Sequence, residues 1–259
     1  MKRIACSSAR FAVPAALVAL TLGGCSSSAQ RHTANHQQAA IANTQLGIQY
    51  MNQGDLPLAK MKLDRALEQD PGNAAVHSAR AMLFTRMNQS AQADEEFRTA
   101  LRLAPNDPEV INNYAVYLCQ NGRTEEGVKR FLEAAHNALY RTPQAAYTNA
   151  GVCQRAAKRD DEARVNFSNA LQLRPNYAEA AFQLALLDFD HHQLAPARAR
   201  IDGFIGTYDA TPDLLLLGVR VARAQGDPVA AQRFARRLQL DYPGSDQARA
   251  LAALDKNPG

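Results

Sequence analysis

The side chains with the greatest chemical potential in this 259-residue chain are four cysteines and six histidines. A metal or nucleophilic site would need such residues at fixed spacing, and the sequence holds no HExxH, CxxC or GxSxG motif. His191 and His192 fall in a predicted turn, where we expect them to be solvated. Glu95 and Glu96 fall on a predicted helix, where we interpret them as structural. The sequence therefore predicts a protein that is not an enzyme, with no catalytic residues, no metal and no cofactor.

The first 24 residues differ from the rest of the chain. Lys2 and Arg3 make a basic start, and the apolar stretch Phe11–Leu22 follows. About twelve apolar residues are too few to span a bilayer in the usual way. A basic start before such a stretch is typical of a secretory signal. The sequence thus predicts that residues 1–24 are a signal peptide.

Cys25 comes directly after this segment. The run Leu22-Gly23-Gly24-Cys25-Ser26 resembles a bacterial lipobox. The resemblance implies lipidation of Cys25 and, because Ser26 rather than an aspartate follows it, sorting to the periplasmic face of the outer membrane. Each buried CH₂ group of the lipid would contribute about 0.8 kcal/mol to anchoring. Residues 25–39 are polar and predict a lipidated tether. The alternative is a plain secreted protein in which Cys25 has no role.

A 34-residue pattern recurs along the remainder of the chain, and its clearest copy is Ala40–Asn73. Counted from Ala40, small residues stand at positions 8 and 20, a large apolar residue at position 24 and a proline at position 32. This pattern resembles the tetratricopeptide repeat (TPR), which is built from two packed amphipathic helices. In this copy we expect helices at about Ala42–Gln53 and Pro57–Gln69. One such hairpin cannot bury its own apolar face, so it requires neighbours.

Six copies of the pattern account for nearly all of the chain after the tether. The predicted repeats span about residues 40–73, 74–107, 108–143, 144–177, 178–211 and 212–245. The third departs from the pattern, because Gly127 replaces the usual alanine and the run Ala138–Pro143 adds two residues, where we expect a lengthened turn. No segment alternates apolar and polar residues for long enough to form a strand. We predict an all-α fold, a right-handed TPR superhelix over residues 40–254 that ends in a short helix, followed by a tail at 255–259.

Two further cysteines remain in the mature chain. Cys119 is at position 12 of the third repeat and Cys153 is at position 10 of the fourth. Both therefore lie near the ends of first helices, which are neighbours in a TPR stack. An even pair in an oxidising compartment favours a disulfide, and a loop of this length would add about 3–4 kcal/mol of stability. The alternative is two unpaired buried thiols.

The first helices of TPR proteins line a concave groove, by family resemblance through positions 2, 5, 9, 12 and 13. Several of these positions are apolar in this chain, and an exposed apolar stripe suits an apolar or helical peptide. The predicted partner-binding groove consists of Ile41, Ile48, Met51, Met82, Val116 and Val152. The alternative is that tight curvature buries these side chains as ordinary core. A clamp for a peptide's terminal carboxylate is not expected, because it uses Lys and Asn where the first repeat has Thr44 and Ile48.

The charge of the mature chain argues against nucleic-acid binding. The full chain has 29 basic and 25 acidic residues, but Lys2, Arg3 and Arg10 belong to the predicted signal. The remainder is nearly neutral, contains no basic tract and alternates its charges along helix faces. We therefore expect a protein partner and no nucleic acid.

The mature chain as a whole is similar to the PilF/PilW family of type IV pilus biogenesis lipoproteins, the pilotins of the outer-membrane secretin. The features that carry the resemblance are the lipobox, the six repeats, the lengthened third unit and the runs Asn112-Asn113-Tyr114, Leu118-Cys119, Gly122-Arg123, Gly151-Val152-Cys153 and Leu214–Gly218. The resemblance implies an outer-membrane lipoprotein that binds secretin subunits, carries them across the periplasm and promotes their multimerisation into the pore through which the pilus emerges.

An alternative function is that of another periplasmic TPR lipoprotein scaffold. Such a scaffold would organise peptidoglycan hydrolases or belong to a tight-adherence pilus system. A TPR-decorated enzyme is not expected, because the repeats leave no residues for a catalytic domain.

Overall fold

The computed structural model describes residues 24–256, with side chains from 33 to 253. Within that range the chain forms thirteen α-helices and no β-strand, which confirms the all-α prediction. The helices are α1 Gly24–Asn52, α2 Leu56–Gln69, α3 Ala74–Arg86, α4 Ser90–Leu103, α5 Pro108–Gln120, α6 Thr124–Ala135, α7 Pro143–Ala156, α8 Asp160–Leu173, α9 Ala178–Asp190, α10 Leu194–Thr207, α11 Pro212–Ala224, α12 Pro228–Asp241 and α13 Asp246–Lys256.

Consecutive helices pair as hairpins, and the hairpins stack in sequence order. Each first helix also packs against the first helix of the next hairpin, so that α1, α3, α5, α7, α9 and α11 form one continuous layer. Helix α13 packs on α11 and α12 and buries Leu251. The fold is therefore a TPR superhelix, in which one layer of helices can present a continuous surface to a partner.

The repeat pattern follows from close packing inside each hairpin. The large residue at position 24, or at position 23 in the irregular sixth repeat, is at most 1% exposed in every repeat: Leu63, Phe97, Phe131, Phe167, Ile201 and Phe234. A Cβ atom added to Gly151, at position 8, would lie 2.5 Å from the ring of Phe167. Gly218 faces Phe234 in the same way, at 2.9 Å. A small residue at position 8 thus lets the two helices approach closely enough to bury the large one.

Helix α1 is longer than the sequence predicted. It begins at Gly24 rather than near Ala42, so the helix continues through the polar segment that was expected to be a tether. Neither proline nor glycine interrupts the chain between Cys25 and Ala40, and the helix can therefore extend without a break. Residues 33–38 are exposed, and burial begins only at Ala40. The extension lies outside the packed hairpins, and residues 1–23, which hold most of the predicted signal peptide, lie outside the described residues.

The link between the third and fourth hairpins is lengthened. Helix α6 ends at Ala135 and α7 begins at Pro143, whereas α4 and α5 are joined by residues 104–107 alone. The longer link places Tyr140 in the core, where it is 7% exposed and packs with Ile111, Ala134 and Ala146. Burial raises the pKa of the Tyr140 phenol. The extra residues thus supply a core side chain between two repeats.

Candidate partner-binding groove

The first helices of the first three hairpins enclose an apolar groove. Ile48 and Met51 come from α1, Met82 from α3 and Val116 from α5, and these side chains line one cavity of about 250 Å³. Ile48, Met82 and Val116 are partly buried. We call this cavity the groove. Its full lining is Ile48, Met51, Asn52, Met82, Thr85, Arg86, Phe97, Asn113, Val116, Tyr117 and Gln120.

Four of the six residues predicted to bind a partner therefore meet in one place. Met51 differs from the expectation of an exposed stripe, because its side chain is only 2% exposed and packs with Leu63 and Leu83. It forms the floor of the groove. Ile41 and Val152 are 50% and 40% exposed and do not line this cavity. Ile41 lies ten residues before Met51 on α1, and Val152 lies on α7, beyond the third hairpin.

A polar rim surrounds the apolar floor, and the sequence analysis did not single it out. Asn52, Arg86 and Gln120 occupy position 13 of the first three repeats, and all three are exposed. Position 13 belongs to the set that faces the groove in TPR proteins, so this signal was present in the sequence. The predicted groove contained only the apolar members of that set. The groove therefore offers hydrogen-bonding groups as well as apolar contact.

Arg86 connects the rim to the neighbouring helix. Its guanidinium donates from Nη1 to the main-chain carbonyl of Met51 and from Nη2 to Oδ1 of Asn52, the latter at 3.2 Å. The carbonyl of Met51 belongs to the last turn of α1, where carbonyls lack an intrahelical partner. That carbonyl also accepts from the main-chain N–H of Gly54 at 3.2 Å, so Arg86 adds a second bond at the end of α1 and is held over the groove by it.

The wall behind the groove is fixed by aromatic packing and hydrogen bonds. The Phe97 ring lies 5.4 Å from that of Tyr114 and 5.3 Å from that of Tyr117, measured between centroids. The Tyr117 hydroxyl donates to the main-chain carbonyl of Ser90 at 2.8 Å, and that of Tyr114 donates to Asp94 at 3.1 Å. Burial raises the pKa of the Tyr117 phenol. These contacts hold α4 and α5 together and give the groove a preformed wall.

A disulfide lies at the far side of the groove. Cys119, directly before the rim residue Gln120, is linked to Cys153, and their Cα atoms are 5.7 Å apart. The bond joins α5 to α7 and so ties the third hairpin to the fourth. Gly127 on α6 lies against the Cys119 sulfur. The structure thus contains the pairing that the sequence favoured over two free thiols.

Other classes of site receive no support from the described part of the chain. Over residues 24–256 no group of three or more His, Cys, Asp or Glu side chains is arranged to hold a metal ion. Within the same range no helix is long and apolar enough to cross a membrane. Cys25 lies in the first turn of α1, but its side chain is outside the described residues. A depression of about 600 Å³ along α2 is larger than the groove, but several of its charged groups pair with each other, as Lys60 does with Asp64 and Arg65 does with Glu68.

Comparison with known proteins places the chain among TPR proteins. A tetratricopeptide repeat family model matches residues 50–111, and a second one matches residues 96–129. The type IV pilus assembly protein PilF of Pseudomonas aeruginosa is 33% identical over 233 residues, which cover 88% of this chain and 92% of PilF.

Two solved structures are also similar over most of their length. One, from a functional characterisation of P. aeruginosa PilF, has a TM-score of 0.64 and 32% identity, covering 85% of this chain and 99% of the other. The second, PilW, is described as a widely conserved type IV pilus biogenesis factor. It has a TM-score of 0.66 and 28% identity, and the match covers 83% of this chain and 99% of PilW.

Proposed function

Because the chain belongs to the PilF/PilW family of type IV pilus biogenesis factors, we propose that it is an outer-membrane lipoprotein that binds secretin subunits. Its action is to bring these subunits to the outer membrane and to promote their multimerisation into the pore of the pilus. It does so by binding, with no catalytic step.

The groove carries this proposal. It combines a partly buried apolar floor with a polar rim, as in protein–protein interfaces, where an apolar centre is surrounded by hydrogen-bonding groups. Its walls are preformed by the Phe97 and Tyr117 contacts, so little ordering is required when a partner segment binds. A secretin segment that inserts apolar side chains over Met82 and Val116 would remove both groove residues from water.

In this proposal the lipid directs the complex to the outer membrane. Cys25 follows a lipobox-like run in the sequence, and α1 leads from Cys25 to the first groove residue, Ile48, without a break. On this proposal the acyl chains hold the protein at the membrane, while the groove holds the secretin subunit. Membrane attachment and subunit binding are then separable functions of one chain.

The test of the groove introduces a charge into its floor. Met82→Asp and Val116→Asp should each abolish secretin binding and reduce secretin multimers in outer-membrane fractions, because a carboxylate buried against apolar side chains loses its hydration. Val165→Asp is the matched control, since Val165 is 59% exposed on α8, outside the layer of first helices. Thermal unfolding of each variant must show that the fold is retained. Unchanged multimers in folded groove variants would refute the proposal.

The test of the anchor is Cys25→Ser. This variant should lose acyl labelling and leave the membrane fraction, yet still bind a purified secretin subunit through the intact groove. Secretin multimers should then form in reduced amount or at the wrong membrane. If they formed normally in the outer membrane, the lipid would have no part in localisation.

Loss of peptidoglycan remodelling in a deletion strain, with normal secretin multimers and twitching motility, would instead favour the scaffold function.

A further inference from the structure

The groove has one charged side chain in its lining, and that charge is positive. Arg86 is exposed at the rim, while the other lining residues are apolar, amide or hydroxyl side chains. Within the part of the chain whose side chains are described, no aspartate or glutamate lines the cavity. The field in the groove therefore favours an anionic group on whatever binds there.

Arg86 also differs from many other arginines of the protein in its partners. Elsewhere in the described residues arginines commonly pair with carboxylates, as Arg123 does with Glu126 at 2.6 Å and Arg155 does with Asp190 at 2.6 Å. The partners found for Arg86 are a main-chain carbonyl and an amide oxygen, both neutral. Among the described side chains, no acid contacts Arg86 to balance its positive charge.

The guanidinium retains hydrogen-bonding capacity. Arginine has five N–H donors in a planar fork, and the bonds to Met51 and Asn52 use two of them. Those two bonds also fix the side chain in place, so a carboxylate that approached from the groove would meet a preoriented partner. Charge-assisted bonds of this kind are stronger than bonds between neutral groups.

The size of the groove argues for a peptide rather than a small molecule. Its volume of about 250 Å³ lies below the roughly 300–1,000 Å³ of small-molecule pockets. It is lined by three successive first helices, α1, α3 and α5, and suits a few side chains of a longer segment. A segment with apolar residues for the floor and one acid for the rim would satisfy both surfaces.

We propose that Arg86 makes the groove selective for a secretin segment that carries an aspartate or glutamate beside its apolar residues. The proposal rests on the secretin-binding function proposed above and adds a specificity-determining residue to it. Segments with a lysine or arginine at the same place are rejected, because two cations would then face each other with no acid between them.

The test uses the full-length lipoprotein in detergent and a tiled set of 15-residue peptides from the type IV pilus secretin of the same genome. Binding is measured by fluorescence anisotropy for the wild type, Arg86→Lys, Arg86→Gln and Arg86→Glu. Lys129→Gln is the matched control, since Lys129 is an exposed cation on α6, outside the groove. Arg86→Gln should weaken the strongest peptide about tenfold, as for loss of one charge-assisted hydrogen bond. Arg86→Lys should weaken binding of this peptide less, and Lys129→Gln should leave its binding unchanged.

Charge reversal separates recognition from a purely structural role of Arg86. If the acid of the bound peptide is replaced by lysine, binding to the wild type should be lost and binding to Arg86→Glu should be restored. A peptide that binds Arg86→Gln as tightly as the wild type, but fails to bind Met82→Asp, would overturn the role of Arg86 and leave secretin binding intact. If neither the peptides nor the folded secretin subunit bound the wild type, secretin binding itself would be refuted, and the selectivity with it.

Discussion

Gly127 and Cys119 are packed so closely that a Cβ atom on Gly127 would overlap the Cys119 sulfur. The same atom would also lie 3.1 Å from the main-chain oxygen of Ala115. Gly127 stands where the other repeats have alanine, at the contact between the two helices of the third hairpin. The glycine and the disulfide are therefore one feature: the missing methyl group makes room for the sulfur.

Gly127→Ala should destabilise the protein, although alanine is ordinarily the better helix residue by about 1 kcal/mol. We expect a loss of about 1–3 kcal/mol in the free energy of unfolding, as for an overpacked core. In a Cys119→Ala, Cys153→Ala background the penalty should shrink by at least about 1 kcal/mol, because contacting sites couple. Urea unfolding of the four proteins measures this coupling.

Gly203→Ala is the control for that series, because a Cβ atom on Gly203 of α10 meets nothing within 4 Å. It should leave stability unchanged or raise it by up to about 1 kcal/mol in both backgrounds. An equal penalty for Gly127→Ala with and without the cysteines would show that the sulfur is not the obstacle.

Removal of the disulfide should lower stability without changing the fold. Cys119 and Cys153 close a loop of 34 residues, so Cys119→Ala with Cys153→Ala should cost about 3–4 kcal/mol by restoring the entropy of the unfolded chain. The measurement is unfolding with and without dithiothreitol. The reductant should destabilise the wild type to the level of the double variant and leave that variant unaffected. Two alkylatable thiols in native protein isolated from the periplasm would contradict an oxidised pair in the cell.

The repeat core was predictable because it depends on residues close in sequence. Position 8 faces position 24 within one hairpin, so the pairing of Gly151 with Phe167 follows from the pattern alone. The cysteine pairing followed from the same register. The sequence marked Gly127 only as a departure from the repeat pattern, because the contact that requires a glycine there is with a sulfur atom on another helix. The depth of Met51 depends on the curvature of the helix layer, which the sequence does not specify.

His77 makes stability depend on pH in a defined direction. Its Nδ1 lies 2.6 Å from Glu96 and its Nε2 lies 3.0 Å from the carbonyl of Pro71, and only the protonated ring can donate to both. The hydrogen bond to Glu96 raises the pKa of His77, an effect that burial and the nearby Arg80 partly oppose. Since the pKa is raised in the folded state, the stabilisation is complete below the ordinary histidine pKa of about 6.5. The stabilisation is lost as the pH rises through the pKa of His77 in the folded state.

His77→Gln should therefore cost more stability at pH 5.5 than at pH 8.5. Glu96→Gln should reduce the same pH dependence, because it removes the main cause of the raised pKa. The measurement is urea unfolding across this range, in which most carboxylates stay ionised. A difference between the wild type and His77→Gln that did not vary with pH would show that this histidine does not change its protonation on unfolding.

Asp188 should be the most sensitive charged residue of the fifth repeat. Its side chain is fully buried on α9 and is bound by Arg164 from α8 and by Arg200 from α10, the latter at 2.5 Å. Asp188 stands at position 11, which holds large apolar or aromatic residues in the first three repeats, so the chain ties two hairpins together here by charge instead of apolar packing. Removing one partner of a buried pair typically costs about 3–5 kcal/mol.

For Asp188→Ala we expect less than that range, about 2–3 kcal/mol, because both arginines are partly exposed and can regain water. Asp190→Ala is the matched control on the same helix. Asp190 is 45% exposed and pairs with Arg155 at 2.6 Å, and loss of such a surface pair should cost less than about 1 kcal/mol.

Asp188→Leu tests the apolar alternative: if it restored more stability than Asp188→Ala lost, the buried acid would be retained for a reason other than stability. Equal losses for Asp188→Ala and Asp190→Ala would show that burial of the pair does not matter. The free energies come from urea unfolding at neutral pH, and groove binding measured alongside them should remain unchanged in all three variants, because α9 does not line the groove.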